Sequence, residues 1–308
     1  MRDEKVLITG PAGQVAFPIT KELAKTNDVW GIARFGKPAD RERVEALGVT
    51  CVTLDMGRDS FDALPDDFTY VLNMAVVHSW TPDFDRDLAV NVEGVGLLMA
   101  HCRNAKAFLQ CSSGAVYEAV ANDAFKETDP LGDNHRGILP TYSICKIASE
   151  SMARFGARQW NLPTVIPRLS VPYGANGGWP ATHLEMMLAG QDIAVGPGAR
   201  HVYNPIHEDD LVAHIPRLLE IASVPAVTVN WGGSDQASVE EWCAYLSELT
   251  GLDHTIVLDE NMLRSVGIDT TKMHALVGET TVKWKDGFRK MVEARHPELL
   301  ARHPHSGT

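Results

Sequence analysis

Tyr142 and Lys146 stand four residues apart in the run Tyr142-Ser143-Ile144-Cys145-Lys146. On a helix that spacing puts a phenol and an ammonium on one face. A free phenol has a pKa of about 10, so at neutral pH it is a poor base. A neighbouring ammonium favours the deprotonated form and brings the group toward acid–base work. Such a pair also arises by chance as a solvated surface contact. A second element gives it weight: Cys111-Ser112-Ser113-Gly114-Ala115-Val116-Tyr117 closes a short apolar stretch earlier in the chain. The hydroxyl of Ser113 can donate to a carbonyl oxygen while Tyr142 exchanges a proton with it. The plainer role of a small serine ending a strand fits Ser112 about equally well.

A third element lies near the start. Thr9-Gly10-Pro11-Ala12-Gly13-Gln14-Val15-Ala16 falls between an apolar strand and a helical pattern. A dinucleotide pyrophosphate needs backbone free of side chains at that point. Gly10 permits the tight turn, Gly13 lets the chain approach the phosphates, and the helix N-terminus supplies N–H donors. Ala12, Gln14 and Val15 complete the expected contact surface. Ala16 stands where a third glycine would pack helix on strand, and Pro18 falls in the first helical turn, where leading N–H groups lack intrahelical partners. The second strand ends Trp30-Gly31-Ile32-Ala33-Arg34. An acidic residue there would accept from the ribose of NAD, whereas a planar arginine suits a 2′-phosphate. Arg34, with Lys37 as a second cation, points to NADP(H) ahead of NAD(H).

The elements that must carry these groups alternate. Val6–Ile8, Val29–Ala33, Val49–Leu54, Tyr70–Met74 and Phe108–Cys111 read as strands, separated by helical patterns reaching Leu23, around Arg41–Leu47 and over Asn91–Arg103. Strands spaced by helices imply right-handed crossovers and a parallel sheet. Thr164–Ile166 and Ala226–Asn230 read as two more sheet strands, and the Gly/Pro-rich stretch between Pro172 and Pro205 gives no simple pattern. Ser238-Val239-Glu240-Glu241 is a capping box opening a helix to about Leu249. The expected fold class is α/β, a Rossmann-type doubly wound parallel sheet with a smaller C-terminal α/β substrate-binding region. Residues 1–168 plus 201–232 would bind the dinucleotide, and 169–200 plus 233–308 would meet the substrate.

Bulk properties narrow the partners. The chain has 308 residues, 44% hydrophobic and 22% charged, with a formal net charge of −12. So acidic a surface repels phosphate backbones and anionic headgroups, which argues against nucleic acid and membrane partners. The five cysteines at 51, 102, 111, 145 and 243 show no metal-like spacing and fit a reducing compartment. Cys111 and Cys145 read as buried structural thiols. With no apolar run near the length of a membrane span, and a strand beginning almost at once, the chain reads as cytoplasmic. His303 and His305 read as tail residues, and no metal is expected.

Taken together the chain resembles the extended short-chain dehydrogenase/reductase family, also called the NAD-dependent epimerase/dehydratase family. The resemblance rests on the glycine turn, Asp55-Met56, Asn73-Met74-Ala75, Asn91-Val92-Glu93-Gly94, SSGAVY, YSICK, Pro167 to Gly174, Ile206-His207-Glu208-Asp209-Asp210-Leu211 and Asp269-Thr270-Thr271-Lys272. It implies that Asp55 and Met56 border the adenine, and that Met74, Ala75 and Val76 line the cofactor path with Asn91 and Ser112. Leu169 and Val171 would lie near the nicotinamide end beside Tyr142 and Lys146. It also implies a homodimer formed through the helices near Asn91 and Tyr142.

Departures from the family pattern shape the expected reaction. Dehydratases place an acidic pair after the catalytic Ser/Thr, where this chain has Gly114 and Ala115. Water elimination then lacks its acid and base. Sugar-nucleotide members carry an asparagine where Val171 stands, and an arginine near the register of Tyr203, with Arg200 slightly earlier. A diphosphate without cations is costly to hold. The expectation is an NADP(H)-dependent reductase or dehydrogenase of a small-molecule carbonyl or secondary alcohol, with Ser113, Tyr142 and Lys146 catalytic. His78, Trp80, Ser113, Trp179, His183 and Tyr203 would wall an aromatic, mostly apolar substrate pocket. The rivals are a nucleotide-sugar epimerase with retained NAD(P) and a non-catalytic NADP-sensing regulator.

Overall fold

A computed structural model describes residues 1–79, 81–118, 120, 122–198 and 200–302. Its main sheet has eight parallel strands, the short Ser112–Ser113 and seven along one path: β1 (Lys5–Thr9), β2 (Asp28–Ala33), β3 (Thr50–Thr53), β4 (Tyr70–Asn73), β5 (Ala107–Gln110), β6 (Thr164–Leu169) and β7 (Val227–Trp231). The seven lie in the order β7-β6-β5-β4-β1-β2-β3. The order reverses between β1 and β4, and open α/β sheets bind ligands at the carboxyl edge of such a switch point. The doubly wound parallel sheet expected from the strand–helix alternation is therefore present.

Strand periodicity explains the two layers around it. On β1, Val6 and Ile8 face one core and Leu7 the other. Val71 and Leu72 divide in the same way on β4, as do Phe108 and Leu109 on β5. The first core takes Ile19 and Leu23 of α1 (Ala16–Leu23), and a residue of α2 (Pro38–Glu45), Val44. The second takes Val95, Leu98 and Met99 of α3 (Gly94–His101), which a π-helical turn over Ala89–Glu93 precedes, and Ala153 of α4 (Tyr142–Trp160).

A third core lies beyond the carboxyl edge. It gathers Leu184 of α5 (Trp179–Leu188), Trp242 and Leu246 of α7 (Val239–Thr250), and Phe288 and Met291 of α8 (Trp284–Arg295). Helix α6 (Glu208–Glu220) returns to the main sheet through Leu211, Ile215 and Leu218. The capping box at Ser238 forms in both directions, and α7 starts at the next residue as the motif predicts. The stretch that gave no local pattern is built from short, distant pairings: Ile193–Val195 with Ile256–Leu258, and Pro172–Gly174 with Ile206–His207. Val202–Tyr203 pairs with Ala237–Ser238, and Tyr203 packs in the third core. Residues 202–203 thus pack with the smaller region, although the sequence reading groups them with the dinucleotide domain. No described helix is long and apolar enough to cross a membrane.

Candidate active site

A cavity of about 1180 Å³ runs along the carboxyl edge of the sheet, from Arg34 and Asp55 at one end to Trp179 and Tyr203 at the other. Its floor is set by Thr9. The Thr9 hydroxyl donates to Asn73 Oδ1 at 2.7 Å and accepts from the amides of Met74 and Ala75 at 3.0 and 2.8 Å. Gly10 has φ +64°, and a Cβ there would lie 3.2 Å from Ala75 Cα. A Cβ on Gly13 would lie 3.0 Å from the Gly10 carbonyl oxygen. The turn is therefore held close against β4 in a shape that side chains would obstruct.

Ala12, Gln14 and Val15 line the same cavity, and among the described residues no acceptor meets the amides of Gln14 and Val15. Unpartnered amides before a helix, beside glycines pressed close to the next strand, match what a pyrophosphate requires. The residues present fit a dinucleotide. At the β2–β3 end the lining holds Arg34, Phe35, Asp40, Asp55 and Met56. Arg34 is exposed, and among the described residues it has no hydrogen-bond or ion-pair partner. Lys37, taken from the sequence as a second cation, lies outside the lining.

The catalytic candidates converge at the other end. Tyr142 opens α4, and Lys146 follows one turn later on the same face. The Lys146 ammonium is buried, donates to the Cys111 carbonyl at 2.7 Å and lies 5.8 Å from the centre of the Tyr142 ring. Ser112 and Ser113 extend from β5 and pair with β6. Alternation along this strand separates their roles. Ser112 also lines the cavity, but its buried hydroxyl donates to Glu150 Oε1 at 2.6 Å, so it ties the strand to α4. Ser113 is only partly buried, lines the cavity, and its oxygen accepts from the Ala115 amide at 3.2 Å. Its own proton is left for a ligand. Gly114 and Ala115 also line the cavity and bring no acid or base to it.

Met74, Ala75, Val76, Leu169 and Val171 all line the cavity, as do His78, Trp179 and Tyr203. Two expected contacts do not. Asn91 lies outside the lining; its amide clamps Val77, accepting from the Val77 nitrogen at 2.8 Å and donating to its carbonyl at 2.7 Å. It shapes the wall indirectly. His183 faces the third core, where its Nδ1 accepts from Trp242 Nε1 at 2.9 Å, and burial lowers its pKa to about 4. A histidine so enclosed by apolar rings is a packing residue. Trp80 lies outside the described residues.

Sequence reasoning missed His135. Its ring lies 5.3 Å from that of Tyr142 and lines the cavity. Burial lowers its pKa to about 4, so it is neutral at physiological pH, and its Nδ1 is buried without a partner among the described residues. Nothing local distinguishes this histidine in the sequence. Only the approach of the 133–139 loop to α4 does.

A model of the family described as "NAD dependent epimerase/dehydratase family" matches residues 6–230. The chain belongs to that family. As a member of the extended short-chain dehydrogenase/reductase group, this epimerase/dehydratase-family protein has relatives of several activities. A dTDP-4-dehydro-6-deoxy-D-allose reductase from a Streptomyces species is 24% identical, covering 88% of this chain and 90% of the relative. Among solved structures, UDP-glucuronic acid 4-epimerase from Bacillus cereus, in complex with UDP-glucuronic acid and NAD, superposes with TM-score 0.79 at 21% identity. That match covers 94% of this chain and 98% of the other. A UDP-N-acetylglucosamine 4-epimerase from Methanobrevibacter ruminantium gives TM-score 0.81 at 18% identity, covering 96% and 98%. At these identities the superpositions establish the shared fold.

Proposed function

We propose that this epimerase/dehydratase-family protein is an NADP(H)-dependent oxidoreductase that interconverts a carbonyl and a secondary alcohol on a small, largely apolar substrate. The carrying observation is the make-up of the catalytic end. Trp179, Tyr203, Ile138, Leu139, Leu263 and Val266 form its walls, and Lys146 is the one Lys or Arg there among the described lining residues. A substrate diphosphate placed against this surface would keep its charge without an opposing cation, at a cost of several kcal/mol in a partly dry site.

In the reducing direction Tyr142 gives its phenolic proton to the substrate oxygen while Ser113 donates a hydrogen bond to the same atom. The Lys146 ammonium, fixed by the Cys111 carbonyl, holds positive charge beside the phenol and so stabilises the phenolate left behind. The nicotinamide ring of a bound cofactor supplies the hydride, or takes it up in the reverse direction. Gly10, Gly13 and the open amides of Gln14 and Val15 would hold the pyrophosphate, and the unpaired Arg34 would meet the 2′-phosphate that distinguishes NADP. The five thiols, unpaired among the described residues, support a cytoplasmic setting.

A second reading has its own support. The relatives named above act on nucleotide sugars by their descriptions, and the Bacillus cereus structure carries NAD. An epimerase with retained NAD(P) would use the same Tyr142 and Ser113. The two readings separate in one assay series. NADPH oxidation is followed by absorbance with a panel of apolar ketones and aldehydes, alongside UDP-glucose, UDP-glucuronic acid and dTDP-hexoses tested for epimerised product. Steady NADPH consumption with a simple carbonyl, reduced 10²–10⁴-fold in Tyr142→Phe, is the expected result. Epimerised sugar nucleotide without net cofactor consumption would replace the first reading with the second. Turnover unaffected by Tyr142→Phe would remove the catalytic assignment and favour a cofactor-sensing protein.

A further inference from the structure

Three successive carbonyls of the phosphate turn are held from outside by two side chains that the reaction does not use. Arg43, on α2, donates from Nη2 to the Ala12 carbonyl at 2.8 Å, with its guanidinium 3.7 Å above the centre of the Phe17 ring. Asn176 donates from Nδ2 to the carbonyls of Gly13 and Gln14 at 3.2 and 3.0 Å. The two side chains also meet, Arg43 Nη1 donating to Asn176 Oδ1 at 3.3 Å. Asn176 belongs to the segment between β6 and α5, and its own amide donates to Glu208 Oε2 at 3.4 Å. Gln14 returns the contact, donating from Nε2 to the Pro172 carbonyl at 3.4 Å.

In a trans peptide the carbonyl and the next residue's N–H point in opposite directions. The Gly13 carbonyl also accepts from the Phe17 amide at 2.9 Å, and holding it and the Gln14 carbonyl outward aims the amides of Gln14 and Val15, which lack acceptors among the described residues, into the cavity. The same clasp ties this turn to residues 172–179, which end at Trp179 on the substrate wall. Gly177 and Gly178, with φ +112° and +111°, join Asn176 to that tryptophan. With two glycines in that backbone, the clasp joins the Gln14–Pro172 contact in fixing the segment against the turn.

We propose that Asn176 and Arg43 are positioning residues: they orient the phosphate-turn peptides toward a dinucleotide pyrophosphate and couple its binding to the wall that meets the substrate. This rests on the proposed dinucleotide occupancy of the cavity. Because the clasp acts on the pyrophosphate turn and not on the 2′ position, it affects NADP and NAD alike.

The decisive variant is Asn176→Asp. It keeps an oxygen for Arg43, and strengthens that contact with charge, but removes the donor to the Gly13 and Gln14 carbonyls. A surface packing role would leave Asn176→Asp as stable and as competent as the parent. A positioning role makes it as weak a binder as Asn176→Ala. Calorimetric titration with NADP+ and with NAD+ is expected to show a roughly tenfold weaker Kd for both nucleotides in both variants, with the melting temperature of the free protein held in Asn176→Asp. Hydrogen exchange with NADP+ present should show protection at 10–16 and 172–179 in the parent, and at 10–16 alone in Asn176→Ala. Parent-like affinity in Asn176→Asp, or unchanged protection of 172–179 in Asn176→Ala, overturns the proposal. Failure of the parent protein itself to bind either nucleotide overturns the reading of the cavity and the clasp with it.

Discussion

Arg168 on β6 and Glu150 on α4 form a two-pronged ion pair, Nε to Oε1 and Nη2 to Oε2, each at 2.8 Å, with both side chains 1% exposed. The same carboxylate accepts from Ser112 at 2.6 Å, so the pair fixes the catalytic helix against the strand carrying Ser113. Removing Arg168 leaves the buried Glu150 carboxylate with Ser112 and the partly exposed Arg154 as its remaining partners among the described residues. Arg168→Met should cost about 3–5 kcal/mol in urea unfolding, and Glu150→Met in the same chain should restore much of it. Equal stability of Arg168→Met and the parent would mean that the pair is not closed in solution.

Arg34 carries the cofactor preference. Arg34→Ala should weaken NADP(H) by about 1.5–3 kcal/mol, the usual worth of a hydrogen bond to a charged group, and leave NAD(H) nearly unchanged. Arg34→Asp should go further and favour NAD(H). Equal losses for both nucleotides in a binding titration would remove Arg34 from the 2′ position.

Among the described residues, His135 leaves a buried nitrogen without a partner beside Tyr142. An unmet polar atom costs about 1–3 kcal/mol in the free protein. His135→Phe keeps a ring against the phenol and removes that cost, so the variant should unfold at higher urea. The lost nitrogen should lower kcat/KM for the preferred carbonyl with cofactor Kd unchanged. Full retention of kcat/KM would make the imidazole a spacer.

Stability should fall on acidification. His135 and His183 both have folded pKa values lowered by burial to about 4 from 6.5. As the pH drops below 6.5 the unfolded chain takes up protons that the folded chain refuses. Stability present above pH 6.5 is therefore lost between pH 6.5 and about 4, at up to about 1.4 kcal/mol per pH unit for each group. His183→Asn keeps an acceptor for Trp242 and removes the titration, so urea midpoints measured across this range should show a shallower slope. An unchanged slope would mean that His183 titrates normally.

The outer faces of α3 and α4 expose Leu97 (54%) and Phe155 (56%), with Ile144 three turns before Phe155 on the same face. Apolar groups gathered on two adjacent helices support a homodimer through this surface. Sedimentation should give a dimer for the parent and a folded monomer for Leu97→Glu combined with Phe155→Glu. A parent that remains monomeric at high concentration refutes the interface.

Local rules were enough to read much of this protein from its sequence. Strand alternation, the glycine turn before a helix, the capping box at Ser238 and the one-turn spacing of Tyr142 and Lys146 each depend on neighbours within a few residues. Other features depend on contacts between segments far apart in the chain, which no local pattern encodes. Ser112 and Ser113 look alike in sequence and both line the cavity, and only their placement against α4 commits the hydroxyl proton of one to Glu150 and leaves that of the other for a ligand. His183 and His135 are both histidines in loosely patterned stretches. Tertiary packing buries the first against Trp242 and brings the second to Tyr142. The hold of Asn176 on Gly13, across more than half the chain, exists only once β6 and the turn share one edge of the sheet.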